Sequence, residues 1–365
     1  MTTEVLLKEL NNSDIDWINL TGRRREISPG TVLVQEGKTP NNLHILLDGT
    51  LKVTIPQGSN NPLNRAFAAI EGDEFSGREI ARLSSGEVVG DIPFVGFRPT
   101  ATTVSAIEKS LVMSIPRQQL AVKLQQDTGF AARFYRAIAI LFSDRLQNII
   151  NQLGRSNQAK GQPLRDVLCV LGELNDSDID WMMACGTPQK IPANTVLIRE
   201  RGPVDALYVL LGGTMSVFIS ENEMNPLARA FAAIEGGETV GREIARLSKG
   251  EIIGETPFID TRLPSATVKS LEDSLVLSIP RQELATKLQQ DVGFAARFYR
   301  VIATLLSDRL HGMLVKFGYG RRVYTKGQPL NDNVEYEDEL DFNVLDRMAL
   351  AGSRFDWMLG HLQRI

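Results

Sequence analysis

Short apolar runs separated by glycine and acidic turns dominate the first part of the chain. "TVLVQEG" from Thr31, "LHILLDG" from Leu43, "LKVTI" from Leu51 and "SLVMSIP" from Ser110 are β-branched or leucine-rich stretches of strand length. Asp48-Gly49 separates two of them, which predicts a tight hairpin. The period then changes: Phe130, Phe134, Ala137, Leu141 and Leu146 fall on one stripe at helical spacing, so a long helix closes the segment. Pro116 stands where a first helical turn favours proline, and Ser13 with Asp16 has the Ser-x-x-acid spacing of a helix N-cap. Helix, many short strands, then helix reads as a β-roll or jelly roll with a helical lid.

The whole pattern then returns. "ELNNSDIDW" ending at Trp17 recurs as "ELNDSDIDW" ending at Trp181, an offset of 181 − 17 = 164 residues. The same offset carries "RAFAAIEGDEFSGREIARLSSGE" from Arg65 onto "RAFAAIEGGETVGREIARLSKGE" from Arg229, and the stripe onto Phe294, Phe298, Val301, Leu305 and Leu310. Ser177 with Asp180 repeats the cap pattern, and Pro280 repeats Pro116. Each copy is long enough to bury its own core. The expected fold class is therefore mixed α and β, mainly β: two tandem jelly-roll/β-roll domains with flanking helices, plus a C-terminal helical tail. The expected boundaries are 1–160, 161–325 and 326–365.

Composition narrows the function classes. A chain of 365 residues with a formal net charge of -4 gives no electrostatic reason to expect nucleic acid as the main partner. Two cysteines, Cys169 and Cys185, without metal-ligand spacing, and three histidines argue against a disulfide framework or a zinc site. Charges interrupt the N-terminal segment Met1–Leu10, so neither a signal peptide nor a membrane span is expected and the cytoplasm is the default.

"PGTVLVQEG", "LHILLDGTLKV" and "GREIARLSSGEVVGD" follow a known strand and glycine punctuation, and on these residues the chain resembles the cyclic-nucleotide-binding domain family. That family includes catabolite activator proteins and cyclic-AMP-dependent kinase regulatory subunits. The resemblance covers nearly all of residues 10–150 and 174–315. It implies a phosphate-binding cassette, Gly-Glu-apolar-Ala followed some eight residues on by Arg-Ala/Ser-Ala. There a short helix offers N–H groups to the cyclic phosphate, the arginine neutralises it and the glutamate accepts from the ribose hydroxyl.

Here the cassettes read "GDIPFVGFRPTATTV" and "GETPFIDTRLPSATV". The resemblance places Gly90 with Asp91, and Gly254 with Glu255, at the ribose end. Pro93 and Pro257 replace the alanine whose N–H meets the phosphate, and proline has no N–H. The arginine position holds Thr100 in the first copy and Pro264, followed by Ser265, in the second, while Arg98 and Arg262 lie two residues earlier. A charge-assisted bond to phosphate contributes about 1.5–3 kcal/mol and an N–H bond about 1, so losing both costs roughly two to four decades of affinity. Asp91 and Glu255 read equally as carboxylates at a helix N-terminus, and Arg98 and Arg262 as displaced phosphate ligands or as loop cations paired with an acid.

Three further segments invite partners. The insertions around residues 62–75 and 226–239 predict a short helix, with Leu63, Phe67 and Ile70 on one face, that either gates the pocket or packs on the roll. The lid helices offer Leu141, Phe142 and Leu146 for helix–helix contact. The tail from about Asn331 is first acidic, then apolar at helical spacing with Gly352 interrupting; Phe355, Trp357, Met358 and Leu362 either reach a partner or dock on the chain's own domains.

The function expected is a non-catalytic regulatory or scaffold protein without a cofactor, acting through a protein partner or homo-oligomer at the lid helices and tail. The alternatives are a regulator gated by cyclic AMP, cyclic GMP or another small anion, and a catabolite-activator-type transcription regulator. The last needs a helix-turn-helix after the lid, and the sequence shows none there. His44, His311 and His361 have neither a nucleophile nor a metal pair beside them, so an enzyme is not expected.

Overall fold

Inward-facing apolar residues recur on every strand of each copy, and they bring two four-stranded antiparallel sheets together face to face. The computed structural model describes residues 3–55, 78–95, 100, 102–153, 171–220, 241–260, 262–316 and 342–362. In the first copy the strands are β1 (Arg23–Ile27), β2 (Val32–Val34), β3 (Asn42–Asp48), β4 (Leu51–Ile55), β5 (Arg78–Leu83), β6 (Val88–Val89), β7 (Thr103–Ala106) and β8 (Ser110–Pro116). One sheet runs β1-β8-β3-β6 and the other β2-β7-β4-β5. The second copy repeats this with β9 (Thr187–Ile191), β10 (Val196–Ile198), β11 (Ala206–Gly212), β12 (Met215–Ile219), β13 (Arg242–Leu247), β14 (Ile252–Ile253), β15 (Thr267–Ser270) and β16 (Ser274–Pro280). Its sheets run β9-β16-β11-β14 and β10-β15-β12-β13.

The two cores match at the 164-residue offset. Ile27, Val34, Leu46, Leu51, Leu83, Val89, Val104 and Val112 are buried together in the first roll. Ile191, Ile198, Leu210, Met215, Leu247, Ile253, Val268 and Val276 fill the second. The expected hairpin at Asp48-Gly49 is corrected: β3 and β4 belong to different sheets, so this turn carries the chain across the roll. Gly49 has φ 97, and a Cβ there would collide with the Ser110 side chain. A sharp sheet-to-sheet crossing needs the same left-handed backbone as a hairpin, and local sequence does not separate the two.

The helices are α1 (Thr3–Glu9), α2 (Asn12–Thr21), α3 (Ile92–Val95), α4 (Arg117–Gln126) and α5 (Thr128–Leu153) in the first copy. They are followed by α6 (Asp176–Cys185), α7 (Thr256–Ile259), α8 (Arg281–Gln290), α9 (Val292–Lys316) and the tail helix α10 (Phe342–Leu362). The N-caps of α2 and α6 are Asn11 and Asn175, not Ser13 and Ser177. Asn11 accepts from the Asp14 amide while Asp14 accepts from the Asn11 amide, each at 3.0 Å, a reciprocal capping box. Ser13 instead donates to the Asn11 side chain. Pro116 and Pro280 sit one residue earlier than expected, as the N-caps of α4 and α8.

Asp14 has a second task. It is 1% exposed, and Arg133 of α5 donates to its two oxygens at 2.6 and 2.9 Å. Arg297 holds Asp178 in the same fork at 2.6 and 2.8 Å. A planar guanidinium matches two carboxylate oxygens, so the pair fixes both distance and orientation between α2 and the lid helix. Arg136 adds a bond to Glu9 at 2.8 Å, repeated by Arg300 and Glu173 at 2.9 Å.

The lid stripe is buried as expected over Phe130, Phe134, Ala137 and Leu141, and over Phe294, Phe298, Val301 and Leu305. The compact units divide inside the long helices. The first comprises residues 1–142 and 306–345, the second 143–305 and 346–365. The tail helix is continuous through Gly352, so the expected interruption is corrected. A glycine costs a helix about 1 kcal/mol, which the burial of Ala351, Phe355 and Met358 outweighs.

Candidate functional site

Each cassette begins at a glycine that no other residue replaces easily. Gly90 has φ 80 and Gly254 φ 86. A Cβ at Gly90 would lie 2.5 Å from the Asn42 carbonyl oxygen, and one at Gly254 2.9 Å from that of Ala206. Gly90→Ala is therefore expected to destabilise the first domain by roughly 1–3 kcal/mol, read from its chemical denaturation midpoint. A midpoint unchanged from the parent would show that the turn adapts.

After the glycines come the two carboxylates. Asp91 is 3% and Glu255 8% exposed, and their backbone carbonyls accept from Phe94 and Phe258 at 3.0 Å to start α3 and α7. Glu255 makes no side-chain capping bond to α7. Pro93 lies within α3, and Pro257 is in the first turn of α7, where it contributes no N–H. The cassette helices are tied to the lids by aromatic rings. Phe94 meets Phe134 edge-on at 6.3 Å, and Phe258 meets Phe298 at the same distance. These two contacts were absent from the sequence reading of the cassette, although Phe94 and Phe258 stand at equivalent positions in both copies.

The positions that the resemblance aligns with the cassette arginine are packed inward. Thr100 and Pro264 are buried, and their carbonyl oxygens accept from Gly37 and Arg201, each at 2.8 Å. Ser265 is half-buried. Arg201, at φ 58, is one of two non-glycine residues with left-handed backbone among the described residues. Arg98 lies outside the described residues, as do both insertions with Leu63, Phe67 and Ile70, and the acidic stretch before the tail helix.

Arg262 is engaged. Its backbone N–H donates to Asp260 at 2.8 Å and its Nε to the same carboxylate at 2.6 Å, while Nη1 reaches Asp144 of α5. Burial opposes the guanidinium charge, but the hydrogen bond and charge of Asp260, with those of Asp144, outweigh it and raise its pKa. The pair is partly open to solvent, so it stabilises the fold modestly. Its chemical consequence is larger: an incoming phosphate has to displace two carboxylates from Arg262.

In the tail, Phe355 and Met358 are buried within the chain and Trp357 is 46% exposed, stacked on His361 at 5.3 Å; Leu362 is half-buried. Arg354 anchors the helix through Asp176 at 2.9 Å and through the carbonyls of Leu171 and Gly172. Among the described residues no cluster of His, Cys, Asp and Glu could hold a metal, and no helix is long and apolar enough to cross a membrane.

The family model for the cyclic nucleotide-binding domain matches twice, over residues 24–127 and 188–291. Together these matches span more than half of the chain, which belongs to the cyclic nucleotide-binding domain family and carries that domain in tandem. No curated protein matches it. Among solved structures, the regulatory domain of Toxoplasma gondii PKA with cAMP aligns at 14% identity over 79% of this chain and 89% of that one, with a TM-score of 0.28. The regulatory subunit of a cAMP-independent protein kinase A from Trypanosoma cruzi, bound to guanosine, aligns at 17% identity over 80% and 82%, with a TM-score of 0.27. The N-terminal domain of a transcriptional regulator from Streptomyces coelicolor aligns at 14% identity over 43% and 94%, with a TM-score of 0.30. Similarity at this level carries no argument about ligand or partner.

Proposed function

We propose that this protein is a non-catalytic regulatory scaffold whose two cyclic nucleotide-binding domains act through protein–protein or self-assembly contacts and have lost the family's usual ligand. The observation that carries this reading is the engagement of Arg262 by Asp260 and Asp144. The second cassette's displaced cation is satisfied from within the chain. Three facts support it. The family's arginine positions hold a buried threonine and a buried proline. Prolines stand where an amide donor is needed. The cassette helices are held to the lids by phenylalanine rings, which need no ligand.

Calorimetry of the full chain with cyclic AMP and with cyclic GMP is the test. No saturating heat at micromolar ligand is expected, because the missing arginine and amide remove about two to four decades of affinity. Saturation in that range, abolished by Arg262→Ala, would overturn the scaffold reading and install a ligand-gated regulator.

A further inference from the structure

The two copies are internal controls for each other, and on one face they differ at several neighbouring positions. In the first copy a groove of about 680 Å³ runs between α2 and α4, over Trp17, Leu20, Arg23, Gln119, Val122 and Lys123. Trp17 packs on Phe130 at 5.4 Å and forms a firm wall. Leu20 is 86% and Val122 48% exposed, two apolar side chains left to water. Arg23 of β1 lines one side of the groove, Arg24 and Arg25 follow on the same exposed strand, and no carboxylate holds any of the three among the described residues.

At the equivalent positions the second copy has Ala184 for Leu20, Thr286 for Val122 and Glu283 for Gln119. It has Thr187, Pro188 and Gln189 for the three arginines. Trp181 and Lys287 keep the wall and the lysine. Each of these differences makes the first copy's surface here more apolar or more basic, while Cys185 in place of Thr21 makes the second copy the more apolar at one lining position. On β1, Lys190 in place of Glu26 runs the other way, but Glu26 is held by Lys109 at 2.8 Å. Lys123 adds little free charge, since Asp127 binds it at 2.8 Å. The unneutralised positive charge is therefore at Arg23, on one side of a trough that mixes Trp17, Leu20 and Val122 with glutamines.

We propose that this groove, and not its counterpart in the second copy, docks an acidic amphipathic helix of a partner protein. A trough between two helices accepts a third helix, whose apolar side chains cover Leu20, Val122 and the Trp17 ring. A carboxylate on one flank of that helix meets Arg23, the arginine of β1 that lines the groove, steering the encounter and fixing its direction. A membrane surface fits less well, because its hydrocarbon receives protruding side chains and does not fill a concavity. The proposal does not depend on whether a nucleotide enters either roll.

The test uses the full chain and a fluorescein-labelled helical peptide of leucine and glutamate at amphipathic spacing, with an isomer carrying lysine for glutamate. Fluorescence anisotropy is expected to show saturable binding of the glutamate peptide at one site, weakened by salt. The lysine peptide should bind at least about tenfold more weakly. The variant Leu20→Ala/Arg23→Thr/Val122→Thr, which installs the second copy's surface residues, should lose at least about tenfold. The converse graft Ala184→Leu/Thr187→Arg/Thr286→Val should raise the stoichiometry to two. Equal binding of both peptides, or no effect of the first variant, overturns the proposal. So does sedimentation with phosphatidylserine vesicles that the variant abolishes, or a concentration-dependent dimer that it disrupts; these would make a membrane or a second copy the occupant.

Discussion

Arg133→Met is expected to destabilise the first domain by about 3–5 kcal/mol, since it leaves the carboxylate of Asp14 buried without its cation. Methionine preserves much of the arginine stem's volume and helix propensity, so the loss reports the guanidinium and not a cavity. The Arg133 side chain remains one-third exposed, which places the expected value toward the lower end of that range. Part of the cost also comes from the capping box, because an Asp14 that turns toward water abandons the Asn11 amide. The readout is Trp17 fluorescence during urea unfolding, in a background with Trp181 and Trp357 replaced by phenylalanine. Trp17 lies against Phe130 and so reports the first domain. A loss below about 1 kcal/mol would mean that water reaches Asp14 freely, and the pair would then rank with ordinary surface bridges.

Acid is expected to weaken the two domains unequally, through His44. This residue is 4% exposed on β3, with Nδ1 2.9 Å from the Ser114 hydroxyl. Burial, and then the charge of Arg25, lower its pKa from 6.5 to about 4. The unfolded chain therefore binds a proton that the folded domain refuses. Stability is fully present above about pH 6.5 and falls as pH drops toward about 4, by a total on the order of 3 kcal/mol. Tyr208 holds the equivalent place on β11, where it pairs with Ser278 as His44 pairs with Ser114. His44→Tyr should thus flatten the first domain's stability between pH 6.5 and 4 without changing its register. The same midpoint measured at pH 7 and pH 4.5 decides the matter: parent and variant losing stability in parallel would remove His44 as the cause.

Much of the fold was legible in the chain because it rests on local periodicity stated twice. The lid stripes, the strand runs and the glycine punctuation all carry period and turn chemistry in short windows. Distance along the chain marks where reading failed. Asp14 and Arg133 are 119 residues apart, and nothing near either residue names the other. Local sequence does not single out Asn11 as the cap, because Ser13 and Asp16 match the Ser-x-x-acid spacing two residues on. In the cassette, the departures at Pro93, Pro257, Thr100 and Pro264 were visible from the residue types alone. The destination of the Arg262 side chain was not, since Asp144 lies 118 residues away on the other copy's lid helix. The groove between α2 and α4 was equally silent: Leu20 belongs to an unremarkable helix end, and its exposure follows only from what packs beside it.

The period of the sequence and the grouping of the packed chain are out of phase. Because Ser143–Leu153 of α5 belongs with the second compact unit and Leu306–Lys316 of α9 with the first, a fragment cut at the repeat border severs both. Residues 161–325 expressed alone would lack Ser143–Leu153, which belongs with the second unit, and would leave Arg262 without Asp144. Anion binding by such an isolated half would therefore not report on the intact molecule.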